Sequence, residues 1–230
     1  QKICFMDKDN KIRELLWEPP RTKGISCGMI KVDDSLIGII KQYFSSIQCT
    51  EYSQSLKEIL LNCYKTGTTL REASTRLAIN LYSEYGVVII DPSLPEIRKI
   101  YRPILLKEVD YVGSQNNKIL ELHKKMQQNG LLTNLKIEKD RVNVFADITG
   151  KRTALYRKYG KITDKYGNII NIDDVDLTPN VLTRNICQDF MLNTISCVLG
   201  PNELLYYSLL ESMYQRHSVV MPIPYLRFTG

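Results

Sequence analysis

Seven residues within one stretch carry most of the chemistry legible in this chain. They are Asn180, Arg184, Gln188 and Asp189 in TPNVLTRNICQDF, then Gly200, Pro201 and Glu203 in GPNELLYY. Arg184 and Gln188 stand four apart, so on a helix they share a face, with Asn180 just before its start. Thr183 can cap that helix, RNICQDFML. TISCVL, free of charged residues, reads as a short buried strand. Gly200 breaks it, and Pro201 suits the first turn of a following helix. A strand, a tight turn and a helix start present backbone N–H groups outward, and in open α/β sheets ligands gather at the carboxyl ends of strands. Arg184 suits a carboxylate or phosphate through a two-pronged hydrogen bond. Glu203 would repel a bare phosphate and better matches a ribose hydroxyl or an amine. The competing reading is architectural: Arg184 and Asp189 form an ion pair, and GPNE is only a well-made helix start. On these residues alone both readings stay open.

The elements around this stretch follow from periodicity and turn chemistry. KICFMD is a strand candidate, DKDN a turn, KIRELLWE a further element and EPPRTKG a break. Asp33, Asp34 and Ser35 can cap a helix through SLIGIIKQYFSSI, and SQSLKEILLNCYKT predicts a second, with Leu56, Ile59, Leu60 and Cys63 on one stripe. Thr69 and Glu72 stand in capping-box spacing ahead of Leu70, Ala73, Leu77 and Leu81, and Gly86 ends that helix. VVIID, a continuous β-branched run, predicts a strand covered on both faces and paired beside TISCVL in one sheet. LPEIRKIYRPILLKEVD resumes helical spacing with a possible kink at Pro103. SQNNKILELHKKMQQNG predicts a helix capped by Ser114 and stopped by Gly130, with His123 exposed on it. From Leu135 the period becomes two, with turns at Lys139-Asp140, Thr149-Gly150 and Tyr166-Gly167-Asn168, which predicts an antiparallel β-meander. Gly150-Lys151 resembles the tail of a P-loop, but the earlier glycine is replaced by Phe145 and a hairpin turn fits better. Four segments result: 1–65, 66–134, a meander insertion at 135–172, and 173–230 carrying the two motifs.

Composition narrows the function classes. The 230 residues are 43% hydrophobic and 24% charged, which is the balance of a soluble globular protein. No apolar run approaches the roughly 18 residues of a membrane span. QKICFMDKDN is neither a signal peptide nor an initiator start, so the chain is expected to begin inside something larger. The net charge of +6 is compatible with phosphate ligands or RNA. Its densest group, KRTALYRKYGK from Lys151 to Lys161, reads more simply as the solvated face of a hairpin than as a nucleic-acid surface. Cysteines 4, 27, 49, 63, 187 and 197 have neither zinc-ligand nor redox spacing, so six buried free thiols in a reducing cytoplasm, without metal, are expected.

The same motifs carry a family resemblance. TPNVLTRNICQDF followed by GPNELLYY is similar to S-P-N-V-x-x-R-P-x-x-Q-D and then A-G-P-x-E-I-A-Y-W of the bacillithiol-biosynthesis cysteine ligases, the BshC family. RLAINLYSEYGVVIIDPSLPEIRKI resembles that family's helix followed by G-L-x-x-I-D-P-x-D-P-x-L-R. RVNVFADITGKRTALYR resembles its β-hairpin region, and MPIPYLRF its P-x-x-x-P-R segment, with Arg227 matching. Asn185, Asn193 and Tyr207 stand where the family carries Pro, Pro and Trp. The likeness runs in order over most of residues 60–228. The chain resembles an interior segment, without the family's N-terminal half Rossmann domain or its C-terminal coiled coil.

The resemblance implies an α/β fold: part of a Rossmann-like core, related to class I aminoacyl-tRNA synthetases, with an inserted helical and antiparallel β region. It implies a cytoplasmic, ATP-dependent ligase joining the carboxyl group of cysteine to the amine of glucosaminyl-malate, with ATP or ADP bound. In the family a homodimer can form through the coiled coil. Asn180, Arg184 and the amides near Gly200 become candidates to stabilise oxygen charge on an activated carboxyl, and Glu203 or Asp189 to hold an amine or a ribose. No catalytic nucleophile or base follows. Two other classes compete: a catalytically incomplete homologue that holds a nucleotide or partner, and an RNA-binding protein built on residues 151–161.

Overall fold

The computed structural model describes residues 2–19, 24–111, 114–131 and 135–228. These form two units, Gln1–Ile90 and Asp91–Gly230. The break expected at EPPRTKG lies largely outside the described residues, as does the Ser114 side chain expected to cap a helix.

The first unit opens with an antiparallel hairpin, β1 (Lys2–Met6) and β2 (Ile12–Leu16). Asp7 fixes its turn by accepting from the Asp9 and Lys11 amides and from Arg13 Nε at 2.7 Å. Those bonds, the Arg13 guanidinium first, hold its carboxyl below the usual carboxylate range. Three helices follow: α1 (Asp34–Ser46), α2 (Ser53–Cys63) and α3 (Leu70–Tyr82). Asp33 caps α1 through the Leu36 amide, and the capping box of Thr69 and Glu72 opens α3. Trp17, Val32, Leu70 and Ala73 form the unit's core, and the Trp17 indole donates to Asp33 Oδ1. Gly86, at φ 68°, closes the short 3-10 turn after α3.

The VVIID run departs from expectation. Val87, Val88, Ile89 and Ile90 form no strand and are exposed, Val88 by 82%. A continuous apolar run makes a buried strand only where a neighbour supplies ladder hydrogen bonds and a second layer covers it. Among the described residues neither is present at this point. The run instead ends the first unit, while TISCVL lies in the second, so the two are not neighbouring strands.

The second unit begins with α4 (Pro95–Asp110), which passes through Pro103, and α5 (Ser114–Gln128). Four antiparallel strands follow: β3 (Arg141–Ile148), β4 (Lys151–Lys158), β5 (Lys161–Thr163) and β6 (Asp176–Pro179), in spatial order β5-β4-β3-β6. The meander is therefore real but not separate. β6 joins it from beyond residue 172, and Val142, Val144, Leu155 and Leu177 share one core with Leu105 of α4 and Ile119 of α5. The Gly150 turn is a hairpin, with Thr149 and Gly150 both at positive φ, 52° and 75°. His123, expected exposed, is buried within α5.

The remaining elements carry the motifs: α6 (Thr183–Leu192), β7 (Ser196–Leu199), α7 (Pro201–Tyr207), a 3-10 turn at Ser208–Leu210, α8 (Glu211–His217) and β8 (Ile223–Leu226). β7 and β8 pair in parallel, joined by the helical crossover that a parallel pair requires. TISCVL is not buried on both faces as expected; Val198 is 66% exposed and every residue of β8 is exposed. Among the described residues no helix is long and apolar enough to cross a membrane.

Of the six cysteines, expected to be buried, only Cys63 and Cys187 are; Cys4, Cys27 and Cys49 are exposed and Cys197 is intermediate. Burial, then the Glu108 carboxylate, pushes the Cys187 thiol up to about 12. At pH 8 Cys187 is therefore protonated as well as inaccessible. An aromatic disulfide reagent should label Cys4, Cys27 and Cys49 in the native protein, and Cys187 only after denaturant; native labelling of Cys187, read by peptide mass, would contradict this packing. Thr149 is β-branched in a left-handed conformation. Thr149→Asn should raise stability by about 0.5–1 kcal/mol, read from the urea midpoint at unchanged slope.

Candidate functional site

β7 and β8 run in the same direction, so the residues that follow them emerge at one edge. Gly200 follows β7, and Arg227 follows β8. The Arg227 amide extends the ladder by donating to the Leu199 carbonyl at 2.7 Å. Above this edge the Arg227 guanidinium crowds Gly200: a Cβ placed there would lie 3.1 Å from Nη2 of Arg227 and 3.4 Å from Oε2 of Glu203. The Gly200 backbone, at φ −70° and ψ 165°, is open to any residue, so close approach is what glycine permits here. Glu203 Oε2 accepts from the Gly200 amide at 2.7 Å. Gly200 is the N-cap residue of α7, a helix of only seven residues, and that bond is half of a capping arrangement. The Glu203 carboxylate thus stands at the helix start, where the sequence places it against a bare phosphate. What remains is a guanidinium and a carboxylate over a side-chain-free backbone.

The TPNVLTRNICQD segment sits differently. Asn180, rather than Thr183, caps α6: its Oδ1 accepts from the Leu182 amide at 2.9 Å and the Thr183 amide at 3.1 Å. Thr183 Oγ1 instead donates to the Asn143 carbonyl at 2.7 Å. The Asn180 amide nitrogen donates to Asn143 Oδ1, and Asn143 in turn donates to Glu108 Oε1 and to Asn116 Oδ1, each at 2.9 Å. Glu108 Oε2 lies 3.0 Å from His217 Nε2, and both side chains are fully buried. Sequence reasoning missed this network, because its members are scattered from 108 to 217 and no local pattern links them.

Asp189 is buried and accepts from the Tyr214 hydroxyl. The ion pair considered between Arg184 and Asp189 is therefore not the carboxylate's contact; Tyr214 is. Burial, reinforced by that bond, holds the Tyr214 hydroxyl well above the usual tyrosine range. Arg184 and Gln188 are exposed on α6, four residues apart. Neither lines the cavity of about 320 Å³ beside β3, which Asn180 does line, nor the cavity of about 410 Å³ beside α8. The structure thus brings Gly200, Pro201 and Glu203 together with Arg227, places Asn180 in a polar network at the start of α6, and buries Asp189 against α8.

A family model described as bacillithiol biosynthesis BshC, N-terminal Rossmann-like domain, matches residues 1–228. The chain belongs to the BshC family. The matched residues are those of its N-terminal Rossmann-like domain, and the parallel β7–helix–β8 unit is the portion built in that manner. Among the proteins it resembles, each named "Putative cysteine ligase BshC", one from Desulforamulus reducens is 28% identical over 181 residues, covering 74% of this chain and 34% of that protein. One from Natranaerobius thermophilus is 23% identical over 230 residues, covering 95% and 42%. One from Staphylococcus epidermidis is 24% identical over 202 residues, covering 83% and 37%. The chain spans between a third and a little over two fifths of the length of these relatives.

Within the BshC frame, Arg227 is the site residue that the sequence reading named only as a motif match. Pro222 and Pro224 hid the strand before it, since proline in a strand is confined to edges and reads as a break. The two motif residues of α6 separate cleanly by experiment. Tyr214→Phe removes the donor to a buried carboxylate and should cost about 2 kcal/mol in urea unfolding. Arg184→Ala, on an exposed face, should stay within about 0.5 kcal/mol of the parent. Equal losses would place Arg184 in the fold's support.

Proposed function

We propose that this chain carries the substrate- and nucleotide-binding edge of an ATP-dependent ligase that joins the carboxyl group of cysteine to the amine of glucosaminyl-malate in bacillithiol biosynthesis. The observation that carries this reading is the meeting of Gly200, Glu203 and Arg227 at the carboxyl ends of two parallel strands, the place where open α/β sheets gather ligands. Membership of the BshC family supplies the reaction class, and the names of the relatives supply the amino acid.

Joining a carboxylate to an amine is uphill in water, and ATP, when bound, supplies the leaving group that makes the carboxyl carbon electrophilic. The residues present fit such a group. Arg227 offers a fixed positive charge to an oxyanion, and the missing Cβ of Gly200 leaves the guanidinium its place at the edge. Glu203, beside Arg227, can accept from a ribose hydroxyl or from the incoming amine. Arg184 and Gln188 lie on the exposed face of α6, where they can reach a bound substrate, while Asn180 and Asp189 act by holding that helix in place. We place the whole enzyme in the cytoplasm, as a homodimer through a coiled coil.

The test uses the full-length enzyme, with cysteine, glucosaminyl-malate and ATP, and amide product read by mass spectrometry. Arg227→Ala should lower kcat/KM by about a hundredfold while leaving thermal unfolding near the parent's, because the guanidinium is exposed. Gly200→Ala should act in the same direction by displacing Arg227. Nucleotide binding without amide formation in the parent would favour a binding module over a ligase. Full activity in both variants would remove this edge from the reaction.

A further inference from the structure

The cavity of about 320 Å³ lies over the face of β3 and β4, apart from the β7–β8 edge. Its charged lining is Lys136, Glu138, Arg141 and Arg152, so three cations face one carboxylate and two positive charges are left over. That carboxylate is a distant partner: Glu138 Oε1 lies 3.7 Å from Lys136 Nζ and 3.9 Å from Arg141 Nη1. Among the described residues no carboxylate pairs with Arg152. Its Nη2 donates to the Pro179 carbonyl at 2.6 Å, which leaves other donors of the fork free.

The two guanidiniums are held rather than loose. Phe145 faces Ala154 across the β3–β4 ladder, which makes Arg152, two residues along, its diagonal neighbour on the same face. The guanidinium carbons of Arg152 and Arg141 stand 4.1 and 5.2 Å from the Phe145 ring centroid. The ring is thereby engaged by two cations and serves as their anchor, not as a platform for a base. Partial desolvation of the exposed Arg152 side chain, and second the nearby Arg141 charge, hold its guanidinium below the usual range. Asn143 and Asn180 also line the cavity, with the Asn180 side-chain amide donating to Asn143 Oδ1 at 3.2 Å.

We infer that this cavity is a binding site for a small dianion, whose oxygens are shared between the Arg141 and Arg152 guanidiniums. Two negative charges match the two left unpaired, and planar guanidinium forks match phosphate and carboxylate oxygens alike. The volume, at the lower end for ligand pockets, suits a small molecule or the end of a larger one. The inference does not depend on the proposed ligase reaction, since neither arginine takes part in it.

Isothermal titration of the full chain with inorganic phosphate, and separately with succinate, at constant ionic strength, tests it. At least one probe should bind saturably. Arg141→Gln and Arg152→Gln should each weaken that binding about tenfold or more. Lys151→Gln removes the same charge from an exposed position outside the cavity and should change it by less than about twofold. Binding of phosphate alone assigns a phosphoryl group to the site, and binding of succinate alone assigns a dicarboxylate. Thermal unfolding checks each variant, and Arg141→Gln, whose side chain is partly exposed at the cavity wall, carries the test by itself if Arg152→Gln fails to fold. Absence of saturable binding by either probe overturns the site. So does binding unaffected by the arginine changes, or lost equally in Lys151→Gln.

Discussion

One buried carboxylate organises the second unit. Glu108, on α4, is 1% exposed, and its two oxygens face Asn143 of β3 and His217 of α8. Asn143 passes the connection to Asn116 of α5 and to Asn180 before α6. Three helices, the turn into α6 and an inner strand of the antiparallel sheet are thus tied by side chains that are buried, apart from the partly buried Asn180. A carboxylate in such a place is costly unless every partner is present, and losing one partner of a buried pair typically costs about 3–5 kcal/mol. Moving α8 relative to α4 and β3 would leave this group unsatisfied, so the network penalises such a shift.

The consequences reach both candidate sites. Asn180 caps α6 while bonded to Asn143, so the position of the TRNICQD face is inherited from Glu108 through two amides. The same two asparagines floor the arginine-lined cavity. α8, held at His217 by Glu108 and at Tyr214 by Asp189, leads directly into β8 and so sets where Arg227 emerges. Parallel pairing then does the rest, because two strands running the same way must deliver Gly200 and Arg227 to the same edge. The BshC motifs are separate in sequence and meet only through this shared support.

Charge is distributed by the same logic. At the β7–β8 edge a carboxylate stands beside the guanidinium, and the glycine between them removes the Cβ that would push them apart. Over β3 and β4 the balance is different, with two guanidiniums on one ring and only a distant carboxylate. The first arrangement suits a ligand with both donor and acceptor groups. The second suits a ligand that is mainly negative.

Local chemistry determined a large part of this protein directly from sequence. The capping box of Thr69 and Glu72, the Asp33 cap, the alternation that gives β3 and β4, and the Thr149-Gly150 turn involve residues within a few positions of one another, and each forms where the sequence places it. GPNE was likewise legible as a strand end followed by a helix. The tertiary structure alone decided which strands have partners. VVII and SCVL are equally strand-like as sequences, yet among the described residues only SCVL has a neighbour, and that neighbour is the proline-bearing IPYL that local rules demote. It also decided which polar residues are buried: His123, His217 and Glu108 carry no local mark of it, since burial depends on what packs against them from distant segments. The site followed the same division. Motif residues were visible because their types are unusual together, whereas the pairing of Gly200 with Arg227, and of Arg141 with Arg152 on Phe145, arises from strand register and crossover, which sequence spacing does not encode.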